Sequence, residues 1–244
     1  MNSYRYFDYD RSFDGLMTVI FELYEDIGRA KFMPEAQSNL FDTKIFITTD
    51  MVKATRVIKS LEDKFPKRFL RELIAVFLSC DTNKEDILIR AIKGVFERGY
   101  GYIFSSEKAA SEFRRIRRNV LSENHSYKGL LRFKEVEGGV MLAEFAPKND
   151  ILTLIVPHFV KRFPTINFVI ADVKRGTAAM HMDGKVEFLE LKELDYKISE
   201  REKFFEEAWQ DFYKATRIDE RRNEKLMISN MPKRYWRYLV ENSL

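Results

Sequence analysis

The period of the hydrophobic pattern changes near residue 130, and that switch limits the fold more than any other feature of the chain. Before it, apolar residues recur at three- and four-residue intervals, the spacing of one helical face. After a short strand-like start with aromatics at Tyr4, Tyr6 and Tyr9, the residues Phe13, Leu16, Met17, Ile20, Tyr24 and Ile27 form one stripe behind Ser12, a helix-capping residue. A second helix is expected from Thr49 or Asp50 to Leu61. A third reaches Cys80 with Pro66 in its first turn, where a missing N–H costs nothing. Thr82 with Glu85 makes a capping-box pair ahead of Ile87, Leu88, Ala91, Ile92, Val95 and Phe96, and Gly99 closes that helix. Another helix is expected from Ser106 to about Glu123, followed by a polar loop holding His125.

Beyond residue 130 the pattern alternates. "LLRFKEVEGGVMLAEFAP" reads as a hairpin turning at Gly138-Gly139, and "GTAAMHMDGKVEFLEL" as a second turning at Asp183-Gly184. Between them lie a helix opened by Asn149 or Asp150, kinked at Pro157, and the buried strand "INFVIADV". The order strand, strand, helix, strand, strand, strand fits an antiparallel sheet with a helix on one face. Ser199 and Glu202 form a second capping box before Phe204, Phe205, Ala208, Trp209 and Phe212. A further helix is expected through "DERRNEKLMISN", and a last one from Pro232 with Trp236 and Leu239 on its apolar side. The fold class expected is α+β: a mainly helical N-terminal part packed on a central antiparallel sheet of about five strands, with C-terminal helices. Subdomains are expected at 1–105 and 106–244, with a boundary near Ser105.

Cysteine use excludes several function classes. Cys80 is the only cysteine, so no internal disulfide and no cysteine-held iron–sulfur cluster or zinc ribbon can form. Its neighbours Leu, Ile, Val and Phe predict a small core residue. The opening "MNSYRYFDYD" does not read as a signal peptide, and the longest apolar runs fall short of the roughly 18 residues a membrane span needs. A cytoplasmic protein is expected, with no membrane association. The net charge of +4 permits a polyanionic partner without requiring one.

Local charge is more informative. In "FRRIRRN", Arg114, Arg117 and Arg118 share one helical side while Phe113, Ile116 and Val120 take the other. Guanidinium forks suit phosphate, and Arg132, Arg162, Lys174 and Arg175 come from the adjoining sheet region; the alternative is a solvated face offset by Glu107, Glu112 and Glu123. Tyr235, flanked by Lys233 and Arg234, is a candidate for stacking on bases. Glu123, His125, His158 and Asp172 are of types able to act as acid, base or metal ligand. No HExxH-like spacing supports a metal, so none is expected, and Asp172-x-Lys174 alone is a weak nuclease signal.

The segments "YDRSFDGLMTVIFELYE", "ITTDMVKATRV", "ENHSYKGLLRF", "HFVKRFP", "FVIADVKRG" and "ERRNEKLMISNMPKRYWRYLVE" together resemble a bacterial family that carries a domain of unknown function and is described as a probable DNA metabolism protein. The family pattern tends to have an aromatic after the glycine of H-x-x-G, where this chain has Leu130. Members occur beside a putative DNA-modifying or repairing radical S-adenosylmethionine protein, and a similar domain is sometimes fused to a uracil-DNA-glycosylase-like domain. The resemblance implies a DNA context and a radical S-adenosylmethionine partner. With one cysteine, this chain would be the companion and not the cluster-bearing enzyme. Three functions follow as expectations: a nucleic-acid-binding accessory protein in DNA repair or modification, an enzyme using Glu123, His125, His158 and Asp172 in one pocket, or a scaffold that contacts only its partner protein. No cofactor is expected.

Overall fold

A computed structural model describes residues 5–33, 44–218, 223–238 and 240. Tyr4, residues 219–222 and Leu239, all parts of elements expected above, lie outside the described residues. The chain divides into two compact units, Met1–Ser122 and Glu123–Leu244, with the division inside a helix and not near Ser105.

The first unit holds β1 (Arg5–Asp8), α1 (Phe13–Leu23), β2 (Ala30–Phe32), β3 (Lys44–Phe46), α2 (Met51–Lys64), α3 (Lys67–Phe77), α4 (Lys84–Arg98), a 3₁₀ turn (Tyr100–Phe104) and the start of α5 (Lys108–Leu130). It is not purely helical. The strands form a parallel sheet in the order β2-β1-β3. Strands of three residues are too short to show alternation, which is why β2 and β3 escape a reading by period. Ser12 and Asp50 cap α1 and α2 as expected, each accepting from first-turn amides. The Thr82–Glu85 box does not form. Asn83 is the N-cap residue of α4 and supplies no side-chain hydrogen bond, while Glu85 is buried. Cys80 is exposed, because α3 ends at Phe77 and Cys80 falls in the connection after it.

The second unit continues with β4 (Lys134–Glu135), β5 (Met141–Phe145), α6 (Leu152–Arg162), β6 (Phe168–Asp172), β7 (Thr177–Met182), β8 (Lys185–Glu190), α7 (Glu200–Thr216), α8 (Glu224–Asn230) and a 3₁₀ stretch (Lys233–Tyr238). The strand sequence and both turns match expectation. Gly138 and Gly139 at φ 89° and 76°, and Asp183 and Gly184 at 49° and 77°, take the left-handed geometry that tight hairpins need. The sheet order is β4-β5-β6-β7-β8, and it is mixed. β5 and β6 pair in parallel because α6 crosses between them and returns the chain to the same end. The fold is α+β.

α5 runs through the stretch expected as a loop. Tyr127 extends the buried stripe Phe113–Ile116–Val120, and Glu123 and Asn124 occupy the intervening buried turn. Two polar residues in the stripe hide the helical period.

Packing in the first unit is tightest where α4 meets the 3₁₀ turn. A β-carbon on Gly94 would stand 2.3 Å from the Tyr102 ring. Gly94→Ala is therefore expected to lower stability by about 1–3 kcal/mol through overpacking, despite alanine's better helix propensity, in urea or thermal unfolding.

Candidate functional site

The structure separates the expected site residues into a structural set and an exposed set. Arg114 donates to the carbonyls of Ile103 and Ser105, closing the 3₁₀ turn. Arg117 pairs with Glu72 at 2.7 Å. Arg132 pairs with Glu202 at 2.7 Å and Glu206 at 3.4 Å. Arg175 binds Asp172 at 2.7 Å and the carbonyls of Pro147 and Lys148. These four guanidiniums, expected as phosphate contacts, are held by acceptors of their own unit. A planar fork that suits phosphate equally suits carboxylates and carbonyls. Tyr235 is also corrected. It is 3% exposed, and its ring meets Tyr127 edge-on with centroids 4.7 Å apart, which leaves no face for a base.

Glu123 and Asp172 belong to one connected framework. Glu123, 4% exposed, accepts from the backbone N–H of Lys148 and of Asn149, both at 2.9 Å, and from Asn149 Nδ2 at 2.6 Å. The same loop is gripped from the turn after β6 by Arg175, whose charge is met by fully buried Asp172. Asp172 also accepts from the amides of Lys174 and Arg175, which closes the turn into β7. Both carboxylates are thus taken up as acceptors within their own unit. Among the described residues, no group of three or more His, Cys, Asp or Glu side chains is placed to hold a metal ion.

The histidines differ from one another. His181 is buried, contacts the Ile166 carbonyl through Nδ1 at 3.0 Å and stacks on Phe168, a structural role. His125 is exposed on α5. His158 is half-buried on α6, with its Nε2 shielded from solvent and without a hydrogen-bond partner among the described residues. Desolvation, then the positive charges of Lys128 and Arg162, push its pKa down. The charges that act on it are cations, not Glu123 or Asp172.

His158 thus marks a cationic edge where α5 and α6 contribute Lys128 and Arg162. Arg162 is exposed and lies 5.5 Å from the Phe163 ring centre, and the adjacent Lys161 is exposed as well. Lys174, in the turn between β6 and β7, and Arg118, on α5, are also exposed. Lys128 was not singled out from the sequence. Its signal is its place three residues after His125, which becomes informative only once α5 is known to continue to Leu130.

Replacing Glu123 with alanine would remove the acceptor that three donors of the 148–149 loop share. A loss of about 2–4 kcal/mol is expected in chemical unfolding. For His158, a proton-resolved NMR titration should give a midpoint below the ordinary value of about 6.5, moving up when Lys128 is changed to Glu. The folded chain binds this proton more weakly than the unfolded chain. Stability should therefore drop as pH falls through about 6.5 and level off below the folded-state midpoint.

No curated protein and no solved structure is similar enough to this chain to match it. One family model does match: that of a domain of unknown function, DUF4130, over residues 82–241, which takes in α4, α5 and the mixed sheet described above. The chain belongs to that family.

Proposed function

We propose that the protein binds nucleic acid as an accessory factor in DNA repair or modification, through a small phosphate-contacting edge on its second unit. Lys128 and Arg162 are the principal contacts, with exposed Lys161 beside them. The observation that carries this reading is His158: two cations act on one imidazole, and no acid is among the groups that shift it. Such an excess of positive potential attracts a phosphate, which would also supply an acceptor for a protonated His158. The resemblance to probable DNA metabolism proteins supports the same context. The radical S-adenosylmethionine partner it implies would carry the chemistry, because the single cysteine here cannot hold a cluster.

A scaffold reading has its own support. Phe204, Phe205, Trp209 and Phe212 recur at helical spacing along α7, and all four are exposed. Aromatic rings at this density are a surface on which a protein partner could sit.

The two readings divide on a salt titration of DNA binding. With two or three phosphate contacts, the slope of log K against log salt should be about −2 to −3 on duplex DNA. Lys128→Glu and Arg162→Glu should each weaken binding for all sequences alike and flatten the slope by about one. Arg118→Glu, on the other unit, serves as the comparison. Absence of binding at low salt, together with retention of a radical S-adenosylmethionine partner that is lost on Phe205→Glu, would favour the scaffold.

A further inference from the structure

A groove of about 410 Å³ on the first unit takes no part in the roles above. Phe21 and Tyr24 of α1, Arg56, Ser60 and Lys64 of α2 and Phe96 of α4 line it. Its charge, its spacing and its rings point to one kind of occupant.

Charge comes first. None of the described residues that line the groove is acidic. Arg56 and Lys64 are exposed, and among the described residues neither has a carboxylate partner. The acids close by serve other cations: Glu22 and Asp50 pair with Lys53, and Glu97 pairs with Lys93 at 3.7 Å. Glu97 and Glu25 act on Tyr24, whose pKa is raised first by burial and then by these two charges. The groove itself therefore carries positive charge over an apolar lining, which suits an anion with an apolar body.

The spacing is regular. Arg56, Ser60 and Lys64 stand four residues apart on α2, so they form one row with about 6 Å of rise between successive members. A stretched sugar–phosphate backbone repeats at a comparable length. Guanidinium, hydroxyl and ammonium all donate to phosphate oxygens.

The rings alternate with the cations. Phe21 is 36% exposed and has no ring contact with another aromatic among the described residues. The Arg56 guanidinium lies 5.6 Å from its centroid. The Lys64 ammonium lies 5.5 Å from the centroid of Phe96, which meets Tyr24 edge-on at 6.1 Å. Cations interleaved with rings make a surface on which phosphates meet charge while bases stack.

We propose that this groove binds a short single strand of nucleic acid, with successive phosphates met by Arg56, Ser60 and Lys64 and a base stacked on Phe21. An extended acidic peptide shares the charge and the repeat but lacks the flat faces that an exposed ring stacks, so the strand is the occupant the rings favour. DNA and RNA are two sources of the same chemistry. The groove shares no residue with the phosphate-contacting edge of the second unit, so either site can fail without the other.

Fluorescence anisotropy with the full-length chain carrying Arg162→Glu tests the proposal, because that change weakens the second-unit edge. The probes are labelled hexathymidylate, hexauridylate, an abasic hexamer of the same backbone and a hexaglutamate peptide. At least one base-bearing strand is expected to bind roughly tenfold tighter than the abasic one, and the tighter of the two identifies the source. Phe21→Ala should weaken that strand by about 5- to 10-fold and leave the abasic hexamer within about twofold. Arg56→Gln and Lys64→Gln, both at exposed positions, should weaken base-bearing and abasic strands alike. Each should flatten the slope of log K against log salt by about 0.7. If the abasic hexamer binds as tightly as both base-bearing strands, the proposal is overturned. It is overturned equally if folded Phe21→Ala, Arg56→Gln and Lys64→Gln variants bind the strands like their parent. Preference for hexaglutamate, with the same dependence on Arg56 and Lys64, overturns it in favour of a peptide.

Discussion

The second unit is organised by a loop held from two sides. Residues 147–149 leave β5 and lead into α6. Glu123, reaching from α5, takes up the N–H groups of this loop, while Arg175, reaching from the end of β6, takes up its carbonyls. Asp172 neutralises Arg175 at a fully buried position. Carboxylate and guanidinium thus act on opposite poles of the same peptide groups. Buried backbone polar groups must find partners, and here charged side chains supply them where no strand or helix can. The position of α6 follows, and with it the placement of His158 and Arg162.

The same principle explains why four of the candidate arginines are engaged inside the protein. Arg114, Arg117, Arg132 and Arg175 each close a local gap in hydrogen bonding: a 3₁₀ turn, a helix pair, the start of α7 and a loop. A guanidinium has five donors and tolerates partial burial, which suits it to that work. The edge near His158 takes its character from Lys128 and Arg162, the two cations that act on that imidazole.

Elements were legible in the sequence where one interaction type dominated. The helical stripe of α1, the caps at Ser12 and Asp50, and both hairpins turned by residues at positive φ are local signals, set within a few residues of chain. The short strands β2 and β3 were not legible, nor was the extension of α5 past Glu123. In the first case three residues cannot display a period. In the second, Glu123 and Asn124 interrupt the apolar stripe because their partners lie in a loop some 25 residues further on. The parallel pairing of β5 with β6 was missed: the element order suggested an antiparallel sheet, whereas the helix between the two strands carries the chain back to pair them in parallel.

By itself the sequence determined the α+β class, the order of the sheet-forming elements, the hairpin turns and the exclusion of cysteine-based metal chemistry, because period, turn residues and residue counts act locally or not at all. Tertiary structure alone decided which charged groups are paired with which. A linear chain shows that Arg117 and Lys128 are both basic and both on a helix, but not that Glu72 has closed around the first while the second faces an imidazole. The partners of a long, charged side chain are chosen by three-dimensional proximity, and proximity is what sequence spacing does not encode.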